Sequence, residues 1–301
     1  MEITAKIIAH SVTQQGKQIV TFELEYPRFI HSELMTHRLF SRNAASSRAI
    51  PVAKMIEQVR LAPAMPVHWG KNQPGMQAKE ELDDWNKGLV QGYWEGASYN
   101  AARLAEDMNN AGAHKQIVNR ILEPFQMMKT VLTATELDNF FWLRKHKDAQ
   151  PEIKLLAEKM WEVLEASDPV ELAAGDWHTP YFGAGYWLKD CGISLEDALA
   201  ISSSCCAQVS YRKLDDSLEK AKDIFGKLIE SKPCHASPTE HQASPMAYPK
   251  VVESTYVFST EDGITHADMN GDYWSGNFKG WIQHRQLIPE NVCWNFVEEE
   301  V

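Results

Sequence analysis

Apolar positions alternate early in the chain. Val20, Phe22 and Leu24 fall on one side of residues 18–25, and residues 2–9 carry a similar run, so both stretches are predicted strands. Gln15-Gly16 supplies turn chemistry between them. The period changes after Pro27, where Phe29, Ile30 and Leu34 mark a helix that delivers His37 and Arg38 at its end. Residues 61–78 have no period, because Pro63, Pro66, Gly70, Pro74 and Gly75 break it. His68 and Trp69 in this loop serve either as a lid over a flat ligand or as half-buried anchors. A helix is predicted over 92–111, with Trp94, Ala97, Ala101, Leu104 and Met108 on its stripe and Gly112 as its stop.

Val131-Leu132 end a short predicted strand, and Thr133 with Glu136 read as a capping box for the next helix. On that helix Leu137, Phe140 and Phe141 form an apolar stripe that Arg144 continues. A charge on such a face needs a partner or a ligand, unless its stem snorkels to water at the helix end. Residues 151–164 repeat the helical period through Ile153, Leu156, Met160 and Val163. Residues 167–193 are loop-rich, and packing is the role expected of Asp176, Trp177 and His178. Mixed strands and helices give the class α+β, with helices packed on an antiparallel sheet.

Composition narrows the function. At 301 residues, with 44% apolar and 24% charged positions, the chain has the make-up of a soluble globular protein. No apolar run reaches membrane-spanning length, and Met-Glu-Ile-Thr-Ala-Lys is not the start of a signal peptide. Cys191, Cys205, Cys206, Cys234 and Cys293 lack metal-ligand spacing, so reduced thiols, no metal and a cytoplasmic setting are expected. The formal net charge of -11 argues against a nucleic-acid polymer as partner.

Against that acidic background stands Thr36-His37-Arg38-Leu39-Phe40-Ser41-Arg42-Asn43-Ala44-Ala45-Ser46-Ser47-Arg48. Guanidinium forks meet phosphate or carboxylate oxygens in pairs, and serine hydroxyls with turn N–H groups complete such a pocket. A small anionic ligand suits this cluster.

The stretch resembles the signature of flavin-dependent thymidylate synthase, R-H-R-x-x-S-x-N-E-x-S-x-R-Y. His37, Arg38, Ser41, Asn43, Ser46 and Arg48 match in register. Thr36, Ala44 and Ala49 depart from its Arg, Glu and Tyr. Lys115 to Pro124 is similar to a family segment ending R-I-x-L-P, which puts Arg120 on a nucleotide-contacting arginine. Thr133 to Arg144 resembles N-A-R-S-L-x-N-F-x-x-L-R and keeps Asn139 and Arg144, with Thr133 and Thr135 replacing Asn and Arg. Asp148-Ala149-Gln150-Pro151-Glu152-Ile153 resembles H-A-Q-x-E-I, with Asp148 in place of the histidine.

Ala207-Gln208-Val209-Ser210-Tyr211 and His235-Ala236-Ser237-Pro238-Thr239-Glu240-His241 look like A-R-V-S-F and H-x-T/S-P-F-E-H. In the family these precede the signature; here they follow it. A circular permutation is therefore expected within one domain. Residues 1–165 would hold the signature and nucleotide-binding part, 166–200 a connector, 201–250 the relocated family N-terminus and 251–301 an extension. The tail Ser275 to Arg285 looks like a segment of versions encoded by bacteriophages, which would place the enzyme in host cytoplasm.

The resemblance implies transfer of a one-carbon unit from methylenetetrahydrofolate to C5 of dUMP, giving dTMP, with NADPH-reduced FAD supplying hydride. Arg144 would be the catalytic cation. Glu33, Ser46, Ser47, Arg48, Arg120 and Arg144 would hold the nucleotide. Thr36, His37, Arg38, Asn43, Thr133, Thr135, Asn139, His235 and Ser237 would line the flavin. A homotetramer is implied, with ligands held between subunits. Two alternatives use the same scaffold: a pyrimidine deoxynucleotide hydroxymethyltransferase, and a nucleotide- or flavin-binding protein without catalysis. Cys234-His235 as a nucleophile pair is disfavoured, because a backbone neighbour is not a positioned base.

Overall fold

The computed structural model describes residues 2–210, 214–247 and 261–296. Tyr211 of the A-R-V-S-F-like segment, and residues 248–260 and 297–301 of the relocated segment and extension, lie outside the described residues.

The two alternating stretches form a hairpin, β1 (Thr4–Thr13) and β2 (Gln18–Pro27), closed at Gly16 with φ +78°. Pro27 has no N–H to continue pairing and leads into a single 3-10 turn, Arg28–Ile30, then α1 (His31–Leu34). β3 (Ser41–Ala44) carries the middle of the signature. α2 (Val52–Leu61), α3 (Asp84–Asn110) and α4 (Lys115–Val118) follow, then a 3-10 segment Asn119–Phe125. β4 (Met127–Ala134), α5 (Asp138–Arg144) and α6 (Pro151–Glu165) complete the first half.

The main sheet has the order β3-β4-β2-β1-β5, where β5 (Val170–Leu172) runs parallel to β1 and the other pairs are antiparallel. Both faces are covered. Val20, Phe22, Leu24 and Tyr26 of β2 pack with Leu132 and with Phe140, Ile153, Leu156 and Met160 of α5 and α6. The opposite face meets the C-terminal half: Ile19 packs with Ala243, Phe278 and Trp281, and Val131 with Cys206 and Val209. This explains why nearly all of β4 is buried.

The C-terminal half contains β6 (Trp177–His178), β7 (Tyr186–Trp187), α7 (Leu195–Ala207), α8 (Leu218–Leu228) and β8 (Ala243–Pro245). β9 (His266–Ala267), β10 (Tyr273–Ser275), β11 (Phe278–Lys279) and β12 (Trp281–Gln283) end it. β12-β8-β6-β7 is a second sheet and β11-β10-β9 a third.

Three local expectations change. The predicted capping box does not form: Thr133 remains in β4, paired to both Thr21 and Ser41, and α5 begins only at Asp138. Cross-strand bonds use Thr133 before a helix could. The buried stripe of α3 is shifted by one residue, to Ser98, Ala102 and Ala105, leaving Ala97 and Leu104 exposed. The small side chains sit where α2 packs closely. The connector is more regular than its composition suggests, holding β5 to β7, and α7 runs across its expected end at residue 200. Trp69 is an anchor, buried against Trp94 at 6.3 Å between rings.

Among the described residues no helix is long and apolar enough to cross a membrane.

Candidate active site

The signature runs as turn, strand and turn across the end of the main sheet, and its side chains divide into three groups.

The first group gathers at the C-terminal end of α5. Arg144 Nε donates to His37 Nε2 at 2.9 Å, and Nη2 donates to Thr36 Oγ1 at 3.2 Å. Thr36 in turn donates to the Glu33 carbonyl at 2.7 Å. His37 lies edge-on to Phe140 at 4.9 Å and stacks on Phe40. Burial pushes the His37 pKa down to about 4, and the Arg144 and Arg42 guanidiniums push the same way. His37 is therefore neutral near pH 7, with Nε2 as acceptor and the proton on Nδ1. Burial raises the Glu33 carboxyl above its usual range, while Arg144 opposes that and Glu152 adds to it. Arg42 closes the turn by donating to the Leu34 and His37 carbonyls at 3.0 and 3.1 Å. Arg38 is exposed and has no partner among the described residues.

The second group surrounds Glu123. This carboxylate pairs with Arg28 at 3.0 Å and Arg120 at 2.9 Å, and accepts from Ser47 Oγ at 3.4 Å. Asn119 Nδ2 donates to the Ser47 carbonyl at 2.6 Å, and Ser46 Oγ accepts from the Arg48 N–H at 3.3 Å. The Arg48 side chain is exposed and unpaired among the described residues.

The third group joins the signature to the C-terminal half. The Asn43 carboxamide faces the Ser237 carbonyl at 3.3 Å and lies 3.4 Å from the Cys206 carbonyl. Asn277 Nδ2 donates to the Leu39 carbonyl at 3.0 Å and meets Ser41 Oγ at 3.1 Å. Thr135 Oγ1 accepts from the Lys279 N–H at 3.0 Å. His235, Ser237 and Asn139 are exposed. Lys279 pairs with Asp268 and Asp272, and Arg285 with Glu240, so the tail cations are held internally.

Thr133 is buried completely. Its hydroxyl meets Thr21 Oγ1 at 2.7 Å and His241 Nδ1 at 2.8 Å, and Thr21 meets His178 Nε2 at 2.8 Å. His178 Nδ1 reaches Ser11 Oγ at 2.9 Å. Thr133, expected at the flavin, has its hydroxyl committed to this buried polar row, because a threonine hydroxyl stays close to the sheet. Burial pushes both histidines down to about 3, so they are neutral.

Sequence reasoning gave no separate role to Arg42, Glu123, Thr21 or His241. The spacing of Glu123 three residues after Arg120 is a readable signal for an ion pair. Nothing in the sequence pairs Thr21 with His178. A cleft of about 430 Å³ lies beside Lys6, Glu23, Lys129 and Tyr181, and none of the predicted site residues lines it.

The fold and these groups define an α+β protein with guanidinium groups gathered around one short basic signature. The sequence model of the thymidylate synthase complementing protein family matches residues 7–170, over half of the chain. The chain belongs to that family, the one its signature resembles, and as a member is an enzyme. The solved structures that show similarity include two of note. One is a UMP/dUMP methylase, PolB, from Streptomyces cacaoi bound with 5-Br UMP, at 18% identity and a TM-score of 0.47. The match covers 55% of this chain and 89% of that one. The other is thymidylate synthase X from Helicobacter pylori with FAD and dUMP, at 15% identity and a TM-score of 0.35, covering 48% and 67%. No curated protein matches the chain.

Proposed function

We propose that the protein transfers a one-carbon unit from methylenetetrahydrofolate to C5 of dUMP, giving dTMP, with FAD and NADPH as the reducing pair. The observation that carries this reading is the seat of Arg144, oriented by Thr36 and His37 beside Glu33. C5 needs electron density before it attacks a one-carbon unit. A guanidinium beside uracil N3 and O4 favours the ionised enolate, and a nearby opposite charge moves a pKa by about one to three units. Arg144 supplies that cation. Arg48, unpaired, and Arg120, shared with Glu123, hold the phosphate with Ser46 and Ser47.

The donor set suits FAD. Arg38 is an uncompensated cation for a diphosphate, and the exposed Asn139, Ser237 and His235 offer hydrogen bonds to a flavin or its ribityl chain. When bound, FAD carries the hydride that completes the methyl group. Thr133 takes no part.

Residues 201–250 serve as the family's N-terminal segment, relocated to follow the signature. The contacts of Asn43 with Ser237 and of Thr133 with His241 support this, since they return that segment to the signature's side. The Arg144 and Glu123 groups use separate elements, and a second copy of the chain would join them in a tetramer. The exposed Trp85, Tyr93 and Tyr99 of α3 offer apolar surface for such contacts.

Product mass tests the reading. With dUMP, methylenetetrahydrofolate, FAD and NADPH, the expected product is dTMP. A product carrying one more oxygen would assign hydroxymethylation instead. A colourless protein that FAD cannot reconstitute, with no product, would leave only a binding role.

A further inference from the structure

Arg144 has five N–H hydrogens, and its contacts use particular ones. Nε lies against His37, and Nη2 lies against Thr36. Nε–H and the nearer Nη2–H form the side edge of the guanidinium plane. Three hydrogens, two on Nη1 and one on Nη2, have no hydrogen-bond partner among the described residues, and one from each nitrogen forms the end edge. The Thr36 hydroxyl is committed in both directions: it donates to the Glu33 carbonyl and accepts from Arg144. His37 can accept at Nε2 only as the neutral Nδ1–H tautomer. Its place between Phe40 and Phe140 keeps the ring in that orientation.

We infer that Thr36 and His37 are positioning residues that grip the side edge of Arg144, so that its end edge is presented as a two-pronged donor to a ligand with two adjacent acceptors. The N3–O4 edge of a deprotonated pyrimidine has that form. A carboxylate or phosphate has it too, but lacks the flat ring. Thr36 is decisive because its oxygen can accept. An arginine at position 36 has no acceptor and would repel the Arg144 charge. This chain therefore fixes its reactive arginine from within the signature, and the grip stands in place before any nucleotide arrives.

The inference rests on the reading of Arg144 as the pyrimidine-facing cation, and two measurements separate the two. In full-length protein labelled with ¹⁵N-histidine, His37, assigned by loss of its signal in His37→Gln, should carry its proton on Nδ1. An Nε2–H tautomer overturns the grip whatever the enzyme does. In steady-state assays with dUMP, Thr36→Val should lower kcat at least tenfold while KM for dUMP changes less than threefold. Thr36→Ser, which keeps the hydroxyl, should restore kcat to within threefold of the parent. Equal kcat in Thr36→Val and the parent overturns the inference, as does a serine variant no better than valine. If the parent protein shows no turnover with dUMP, the catalytic reading fails, and the His37 tautomer decides the grip alone. The tautomer measurement also stands if Thr36→Val does not fold.

Discussion

At the scale of single residues, the three arginines of the signature have different fates despite lying close in the chain. Arg42 is consumed by the carbonyls of Leu34 and His37, whereas Arg38 and Arg48 reach solvent unpaired among the described residues. Arg48→Ala should therefore leave the fold intact and weaken dUMP binding by about tenfold, the loss of one charge-assisted contact. Titration calorimetry measures this, and an unchanged affinity would remove Arg48 from the phosphate site. Arg144→Ala should lower kcat by about 10²–10³, the effect of deleting one stabilising donor at a developing charge. Bound flavin, read by its absorbance, should persist. Turnover at the parental rate would end the assignment of Arg144.

Among elements, the loop between β6 and β7 depends on one close approach. Gly185 has φ +96°, and a Cβ there would lie 2.8 Å from the Ala9 Cβ and 3.1 Å from the Ile8 carbonyl oxygen. Gly185 approaches β1 where its register with β2 shifts, between Ile7 and Ala9. Gly185→Ala should cost about 2–4 kcal/mol from a left-handed backbone plus overpacking. Gly16→Ala, at φ +78° with open space around it, should cost only about 1 kcal/mol. Urea denaturation compares them, and equal losses would show that crowding at Ala9 contributes nothing. The hairpin and α6 were readable because a repeated apolar spacing declares an amphipathic face. The failed capping box at Thr133 shows the limit of local reading: the same residues satisfy a helix start and a strand end, and pairing with β2 and β3 decides between them.

The whole molecule hides several histidines in neutral form. His178 and His241 are lowered to about 3, and His284 and His37 to about 4, from an ordinary 6.5, with burial the largest cause in each. The unfolded chain binds more protons than the folded one between 6.5 and those values. Their stabilisation is complete above pH 6.5 and is lost as pH falls toward 4 or 3. Each fully buried histidine adds a slope of up to about 1.4 kcal/mol per pH unit. Water screens the half-exposed His37, which adds less. Urea midpoints should fall steadily from pH 6.5 to 4.5, above the range where most carboxylates titrate, and His178→Gln should flatten the slope. A midpoint independent of pH across that window would contradict the neutral burial of these rings.

Sequence alone determined the family, the strand and helix periods of the first half, and the arginine and serine content of the signature, because spacing and chemical type are properties of the chain itself. The tertiary structure alone decided which cations stay free. Arg120 shares Glu123, Arg42 serves its own turn, and Thr133 turns inward to His241, since hydrogen-bond partners far apart in sequence meet only once the sheet is covered on both faces.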